Sequence, residues 1–277
     1  MGSQTANNEN KYENNSDNQF ATDIMKIATW NVNSLKVRLP HVLDWLATEQ
    51  PDALCLQELK MEDAVFPLAE IEAAGYQAVF NGQKTYNGVA ILSRQAPTDV
   101  VKNIPGFEDA QKRIIAATIG DVRVICGYFP NGQAVGSDKF VYKLDWLAAL
   151  TAWVREELRQ HPRLVLTGDF NIAPEDRDAH PAWKDEIHVS APEREAFVAL
   201  ELLGLTDAFR LFDQDDKAFS WWDYRMNAFE RNFGLRIDHL LISDPLVAEC
   251  RRCWVDTAPR RLERPSDHAP VLIDLIK

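Results

Sequence analysis

The stretch Ile114-Ile-Ala-Ala-Thr-Ile-Gly-Asp-Val-Arg-Val-Ile-Cys-Gly-Tyr128 consists of two β-branched, apolar runs of strand length separated by a single Gly-Asp pair. Gly-Asp between two such runs is a two-residue hairpin signal, which demands an antiparallel or mixed sheet. Working outward, runs of the same grain recur at residues 26–30, 53–56, 88–93, 164–166, 236–242 and 269–275. Helical spacing appears at 38–49, where Pro40 falls early enough to be tolerated, at 139–159, with Leu144, Leu147, Leu150, Val154 and Leu158 on one face, and at 193–203. Strands outnumber helices and neither a linker nor a repeat interrupts residues 25–277, so the compatible architecture is two packed mixed β-sheets with helices outside.

The chain has 277 residues, 46% of them hydrophobic, enough for a substantial core within the range of one domain. Residues 1–24 are rich in asparagine, acidic on balance and poor in large apolar side chains, and read as a disordered tail ahead of a 25–277 catalytic domain. No apolar run reaches membrane-spanning length and no signal segment opens the chain, which predicts a cytoplasmic protein without membrane association. Four cysteines are too few for a disulfide scaffold at this length and suit a reducing compartment. The net charge of −12 excludes a uniformly basic nucleic-acid coat but leaves room for a local basic patch.

Five segments put acids, amides or a histidine at the end of an apolar run: Thr29-Trp-Asn-Val-Asn33, Leu56-Gln-Glu-Leu-Lys60, Gly168-Asp-Phe-Asn-Ile172, Leu235-Arg-Ile-Asp-His239 and Pro265-Ser-Asp-His-Ala-Pro270. Strand ends can converge while holding side chains rigidly, as an oxygen-ligand Mg2+ site requires. Period-two alternation sends Asp169 and Asn171 to one side and Phe170 to the other. Each segment alone is an ordinary turn, but five together are not. Cys250-Arg-Arg-Cys253 has no second half for a zinc site, and Walker A, nucleophile-elbow and dinucleotide-binding motifs are missing. Hard-metal chemistry on a phosphate is what remains.

In order and spacing, Trp30-Asn-Val-Asn33, Leu56-Gln-Glu-Leu-Lys60, Gly168-Asp-Phe-Asn171, Gly234-Leu-Arg-Ile-Asp238 and Ser266-Asp-His268 resemble the exonuclease III family of the DNase I-like endonuclease/exonuclease/phosphatase superfamily. The resemblance runs from Met25 to the C-terminus, and Phe219-Ser-Trp-Trp-Asp-Tyr-Arg225 separates it from phospholipid and inositol-phosphate relatives. It implies an α/β fold, a four-layer sandwich of two mixed β-sheets flanked by helices, and a monomeric base-excision repair enzyme. The implied activity is Mg2+-dependent hydrolysis, with Mn2+ able to substitute, of 3′ nucleotides and 3′-phosphates from duplex DNA carrying 3′ ends, nicks or abasic sites. Alternatives are a dual-activity abasic-site (AP) endonuclease and a small-molecule or lipid phosphatase. An inactive DNA-binding relative would lack one of Glu58, Asp169, Asn171 or His268, and all are present.

The resemblance also assigns roles. Glu58 is the main metal ligand, with Asn33 and Asp267 close by and Asn31, Asp169, Asn171 and His268 within its reach. Asp169 handles the proton, Asn171 and Tyr128 contact the phosphate, and Asp238 orients His268 and raises its pKa. Taken alone, Asp238 reads as a buried structural acid and Tyr128 as a core aromatic. Trp221, Leu235 and Ile237 wall the sugar pocket, while Lys60, Tyr86, Asn131 and Arg236 are candidate DNA contacts. Phe219 and Trp222 read as core. Arg251, Arg252, Arg260, Arg261 and Arg264 form either an electrostatic patch or a solvated face. In Glu186-Ile-His-Val-Ser190, counted back from Pro192-Glu-Arg194, His188 stands where family members that cleave abasic sites carry very small residues. It is expected to act as a selectivity residue that weakens abasic-site incision.

Overall fold

The computed structural model describes residues 24–184 and 186–277. The expected tail lies outside the described residues except for Ile24, which already belongs to the first strand. In chain order come β1 (Ile24–Asn31), α1 (Leu35–Glu49), β2 (Ala53–Gln57), α2 (Leu68–Ala73), β3 (Gln77–Asn81), β4 (Val89–Ser93), β5 (Thr98–Lys102), β6 (Ile114–Ile119) and β7 (Val122–Tyr128). The second half contributes α3 (Asp138–Gln160), β8 (Leu164–Asp169), α4 (Ala191–Glu201), β9 (Leu205–Asp207), β10 (Trp221–Trp222), β11 (Gly234–Leu235), β12 (Asp238–Ser243), α5 (Asp244–Val247), β13 (Cys250–Val255) and β14 (Val271–Ile276). The 114–128 stretch is indeed an antiparallel hairpin, β6 against β7.

Two six-stranded sheets result, ordered β13-β14-β1-β2-β4-β3 and β5-β6-β7-β8-β12-β9. Each is mixed: the parallel pairs β1/β2 and β7/β8 lie among antiparallel neighbours. The alternation of each strand explains the layering. Ile27, Cys55, Ile91, Val124, Val165 and Ile273 point between the sheets. Ala28, Trp30, Leu54 and Leu92 point outward onto Val42, Trp45 and Leu46 of α1, while Ile125, Leu166 and Leu241 meet Trp146, Leu150 and Val154 of α3 and Phe197 of α4. Four layers follow, helix, sheet, sheet, helix, because the central strands have two apolar faces and both must be covered.

Helix boundaries follow their caps. Ser137 accepts a hydrogen bond from the Phe140 amide to open α3, and Ser190 with Glu193 forms a reciprocal capping box on α4, with Pro192 in the first turn. α1 departs from expectation: it begins at Leu35, so Pro40 sits in its second turn rather than its first. Periodicity starting at Leu39 concealed the extra turn. Edge strands β3 and β5, with exposed or half-buried faces, and β13 carried too little apolar alternation to be read. Among the described residues no helix is long and apolar enough to cross a membrane.

Register decides where polar side chains emerge. Asn31 pairs with Gln57 at the ends of β1 and β2, Tyr128 with Asp169 at the ends of β7 and β8, and Asp169 with Asp238 at the start of β12. The approach of β7 to β8 is close enough to require glycine. Gly168 has φ +141°, and a β-carbon there would lie 1.8 Å from the Gly127 carbonyl oxygen. The glycine of the Gly-Asp-Phe-Asn motif thus lets Asp169 reach the seam between the sheets.

Candidate active site

Asn31 joins the two sheets. Its amide nitrogen donates to Glu58 Oε1 and to Asp169 Oδ2, both at 2.9 Å, and its Oδ1 accepts from the Asn33 amide. Asp169, 1% exposed, takes a further hydrogen bond from the Asn171 amide at 2.9 Å. Burial, with Asp238 and Glu58 nearby, pushes its pKa up to about 7 against the opposing pull of His268. That places its proton exchange near neutrality.

His268 Nδ1 lies 2.9 Å and 3.1 Å from the two carboxylate oxygens of Asp238, and its Nε2 is 3.7 Å from Asp169 Oδ2. Burial opposes charging the ring, but Asp238, Asp169 and the hydrogen bond win, raising its pKa to about 10. Asp238 is fixed in turn by Ser220 Oγ at 2.6 Å. Ser266 Oγ donates to the Asn31 carbonyl and accepts from the His268 amide, tying this loop to β1. Neither serine was read as functional, although both stand inside quoted motifs.

Asn33 donates to Asp267 Oδ1 at 3.0 Å, and Asp267 Oδ2 accepts from Trp221 Nε1 at 3.0 Å. Burial would raise the Asp267 carboxyl, but His268 and these hydrogen bonds hold it below its ordinary value. The ammonium of Lys60 lies 2.8 Å from Glu58 Oε2 and 2.5 Å from Asn33 Oδ1, showing that these oxygens draw a positive charge. Glu58, Asn33 and Asp267 therefore fit a hard divalent cation. Asp169, Asp238 and His268 also offer ligand atoms within 4.8 Å of one another. We discount that grouping, because Asp238 is consumed by Ser220 and His268, and a cationic imidazole offers no lone pair.

The metal contact expected of His268 would need a neutral ring, against which Asp238 and Asp169 work. The Asn171 side-chain amide donates to the Phe129 carbonyl and its Oδ1 accepts from Asn131. Burial and the carboxylates of Glu58 and Asp169 push the Tyr128 phenol well up, so it remains a donor. Its ring lies under the Arg113 guanidinium, which also donates to the Tyr128 carbonyl at 3.1 Å. Tyr86, 68% exposed, and Asn131 line an open cleft of about 700 Å³ beside Tyr128, together with Gln111 and Arg113.

Trp221, Leu235 and Ile237 come together as expected, packed with Ala173, Val189 and Trp183. His188 borders this cluster. Its Nδ1 donates to the Asn171 carbonyl at 2.7 Å, its Nε2 is 3.4 Å from the Asn131 amide nitrogen, and burial beside Lys143 lowers its pKa to about 3, so the ring is neutral. Asn33, Glu58, Lys60, Asn171 and His188 all have positive φ, a left-handed conformation that non-glycine residues seldom adopt and that gathers at functional sites. Trp183, Arg113 and Lys143 were missed because nothing local marks them.

Arg236 is a correction. Its side chain is 1% exposed and holds Asp178 at 2.6 Å, Asp207 at 2.8 Å and His239 Nδ1 at 2.9 Å, so it braces β12 from beneath and cannot reach DNA. The arginine cluster also divides. Arg251 and Arg252 lie near the end of β13 that pairs with Leu275, remote from the site edge, and Arg260 is buried against Trp222, Tyr224 and Phe229. Phe219 and Trp222 are core, as expected.

The endonuclease/exonuclease/phosphatase family matches residues 28–268 of this chain. The chain is 38% identical to exodeoxyribonuclease III of Haemophilus influenzae over 264 residues, covering 89% of this chain and 98% of that protein. It is similar to the structure of the 3′ phosphatase NExo from Neisseria bound to a product DNA hairpin, with TM-score 0.90 and 50% identity over 91% of this chain and 100% of the other. An AP endonuclease from Archaeoglobus fulgidus follows at TM-score 0.88 and 37% identity, covering 91% of this chain and 99% of its own.

Removing the brace should cost stability rather than affinity alone. Arg236→Met leaves Asp178 and Asp207 buried without their shared partner, and its unfolding free energy should fall by roughly 3–5 kcal/mol, as for a broken buried ion pair. Urea denaturation measures this, and an unchanged midpoint would return Arg236 to the list of surface contacts.

Proposed function

The chain belongs to the endonuclease/exonuclease/phosphatase family, and from that premise we propose that it is a DNA repair nuclease of the exodeoxyribonuclease III type, hydrolysing 3′ nucleotides and 3′-phosphates from duplex DNA. The observation that carries this reading is the Asn31 amide bridging buried Asp169 to Glu58 on one side, with the Asp238–His268 couple against Asp169 on the other. Glu58, Asn33 and Asp267 would hold the divalent ion, Mg2+ in our reading, with Mn2+ able to replace it. Held there, such an ion would supply charge neutralisation at the phosphate and Lewis-acid polarisation of its ester.

The protein's own residues supply the rest. His268, kept cationic by Asp238, and the Tyr128 hydroxyl stabilise charge growing on the phosphoryl oxygens. Asp169, poised near neutrality, moves the proton at its Oδ atoms, while the amide it accepts from Asn171 fixes its orientation. Lys60 and Asn131 contact the DNA backbone, Tyr86 lies along the cleft, and Trp221, backed by buried Leu235 and Ile237, receives the terminal sugar. The enzyme acts as a monomer on duplex 3′ ends and nicks.

His188 narrows the substrate range. An internal abasic sugar must be extruded from a bent duplex at a cost of a few kcal/mol, whereas a terminal nucleotide frays. A neutral imidazole fixed beside Val189 and the Trp183–Trp221 pair occupies the space that extrusion needs. We therefore place 3′-end hydrolysis above abasic-site incision.

The test is a 3′-phosphorylated duplex against a soluble inositol phosphate, with Mg2+ or excess chelator. Hydrolysis of the duplex alone, abolished by chelator, is expected; full activity in chelator or preference for the inositol ester would defeat the reading. Asp169→Asn should lower turnover by roughly two orders of magnitude or more while duplex affinity holds. Near-normal turnover would mean that another group handles the proton. His188→Gly should raise the ratio of abasic incision to 3′-end hydrolysis with metal dependence unchanged; a ratio that stays put, or a wild type that already cleaves both equally well, removes His188 as gate.

A further inference from the structure

Beneath the site lies an ion pair that the chemistry described above does not use. Lys143 of α3 and Glu193 of α4 are both fully buried. An ammonium has three protons to donate, and here each has an acceptor: Glu193 Oε1, the Asn171 carbonyl at 2.7 Å and the Asn131 carbonyl at 3.3 Å. Glu193 is as fully engaged. Its Oε1 also accepts from the His188 amide at 3.0 Å, and its Oε2 accepts from the Ser190 amide at 3.2 Å and from Ser190 Oγ at 2.5 Å.

The partners form a pattern. In our reading Asn131 contacts the DNA backbone and Asn171 orients Asp169 through its amide, while His188 and Ser190 belong to the segment that narrows the sugar pocket. The carbonyl of Asn171 is shared, since it accepts from Lys143 Nζ and from His188 Nδ1, both at 2.7 Å. The turn after Asn131 is moulded on the same lysine: a β-carbon at Gly132 would lie 3.0 Å from Lys143 Cδ and 2.9 Å from Ile187 Cδ1. A buried ion pair is no efficient source of stability, because an apolar pair of the same volume avoids its desolvation cost. Geometry accounts better for this one, because it fixes the distance between the gate and the carbonyls of Asn171 and Asn131.

We propose that Lys143 and Glu193 are positioning residues that set substrate selectivity, locking the backbone and ring of His188 to Asn171 so that the imidazole stays in the sugar pocket. The proposal rests on the reading of His188 as gate. Without Lys143, the Asn171 carbonyl is held by His188 alone and the Asn131 turn is untethered. The imidazole then shares its place with orientations that admit an extruded sugar.

Initial rates on a 3′-phosphorylated duplex and on a duplex with an internal abasic analogue test this, with wild type, Lys143→Met, His188→Gly and the double variant in the same divalent metal. Thermal unfolding of each protein checks folding, and Glu193→Gln, which keeps the side-chain volume and one acceptor, replaces Lys143→Met if the latter has no cooperative transition. The ratio of abasic incision to 3′ hydrolysis should rise roughly three- to tenfold in Lys143→Met, the scale of coupling between neighbours in one network. It should not move when Lys143→Met is added to His188→Gly. If both rates fall in proportion in Lys143→Met while His188→Gly shifts the ratio, the pair is merely structural and the gate stands. If His188→Gly leaves the ratio unmoved, the gate reading fails and the proposal falls with it.

Discussion

Two carboxylates, Asp169 and Asp238, face each other across β8 and β12, both essentially without solvent, with one imidazole in reach of both. Like charges so close in a weakly screened interior repel strongly, and burial penalises each of them separately. The arrangement survives because His268 is held as a cation and because Asn31, Ser220 and the Asn171 amide supply donors. The surroundings follow from that constraint. The sheets must bring β1 against β8, the 266–268 loop that joins β13 to β14 of one sheet must reach Asp238 of the other, and Gly168 must let the strands close. In the reading proposed above, a phosphate entering such a site meets one imidazolium set among carboxylates and a carboxyl ready to exchange its proton.

Much of this was legible in the sequence because it is local. Hairpin, strand ends and motif spacing are properties of short segments, and Asn31, Asn33, Glu58, Asp169, Asp238, Asp267 and His268 could be named since each lies at or beside one end of an apolar run. What stayed hidden is what only packing decides. Arg236 sits in a motif among pocket residues, yet its side chain points to the opposite face from Asp238, where Asp178 and Asp207 meet it across more than fifty and nearly thirty residues of chain. Arg251 and Arg260 are near in sequence, but β13 carries the first away from the site edge while three aromatic rings enclose the second. Lys143 looked like one more polar residue on an amphipathic helix, and its burial depends on Glu193, fifty residues on.

Membership in the endonuclease/exonuclease/phosphatase family fits the same division. The groups proposed to touch the reacting phosphate are set by strand register. The group proposed to select substrates sits on the connection between β8 and α4, whose conformation depends on contacts with α3 and the Asn131 turn. Position 188 can therefore be compared with relatives only through the helix start that follows it.

The positive φ angles of Asn33, Glu58, Lys60, Asn171 and His188 carry a cost to folding on the order of 1 kcal/mol each. Glycine would remove that strain at every one of these positions, and would delete the side chain that gives the position its use. The most durable version of this backbone and the most active one are thus different sequences. Selection for robustness alone, as in a screen scored on melting temperature, would favour glycine at the more exposed Asn33, Glu58 and Lys60, whereas the buried side chains of Asn171 and His188 offset their strain with the hydrogen bonds they make.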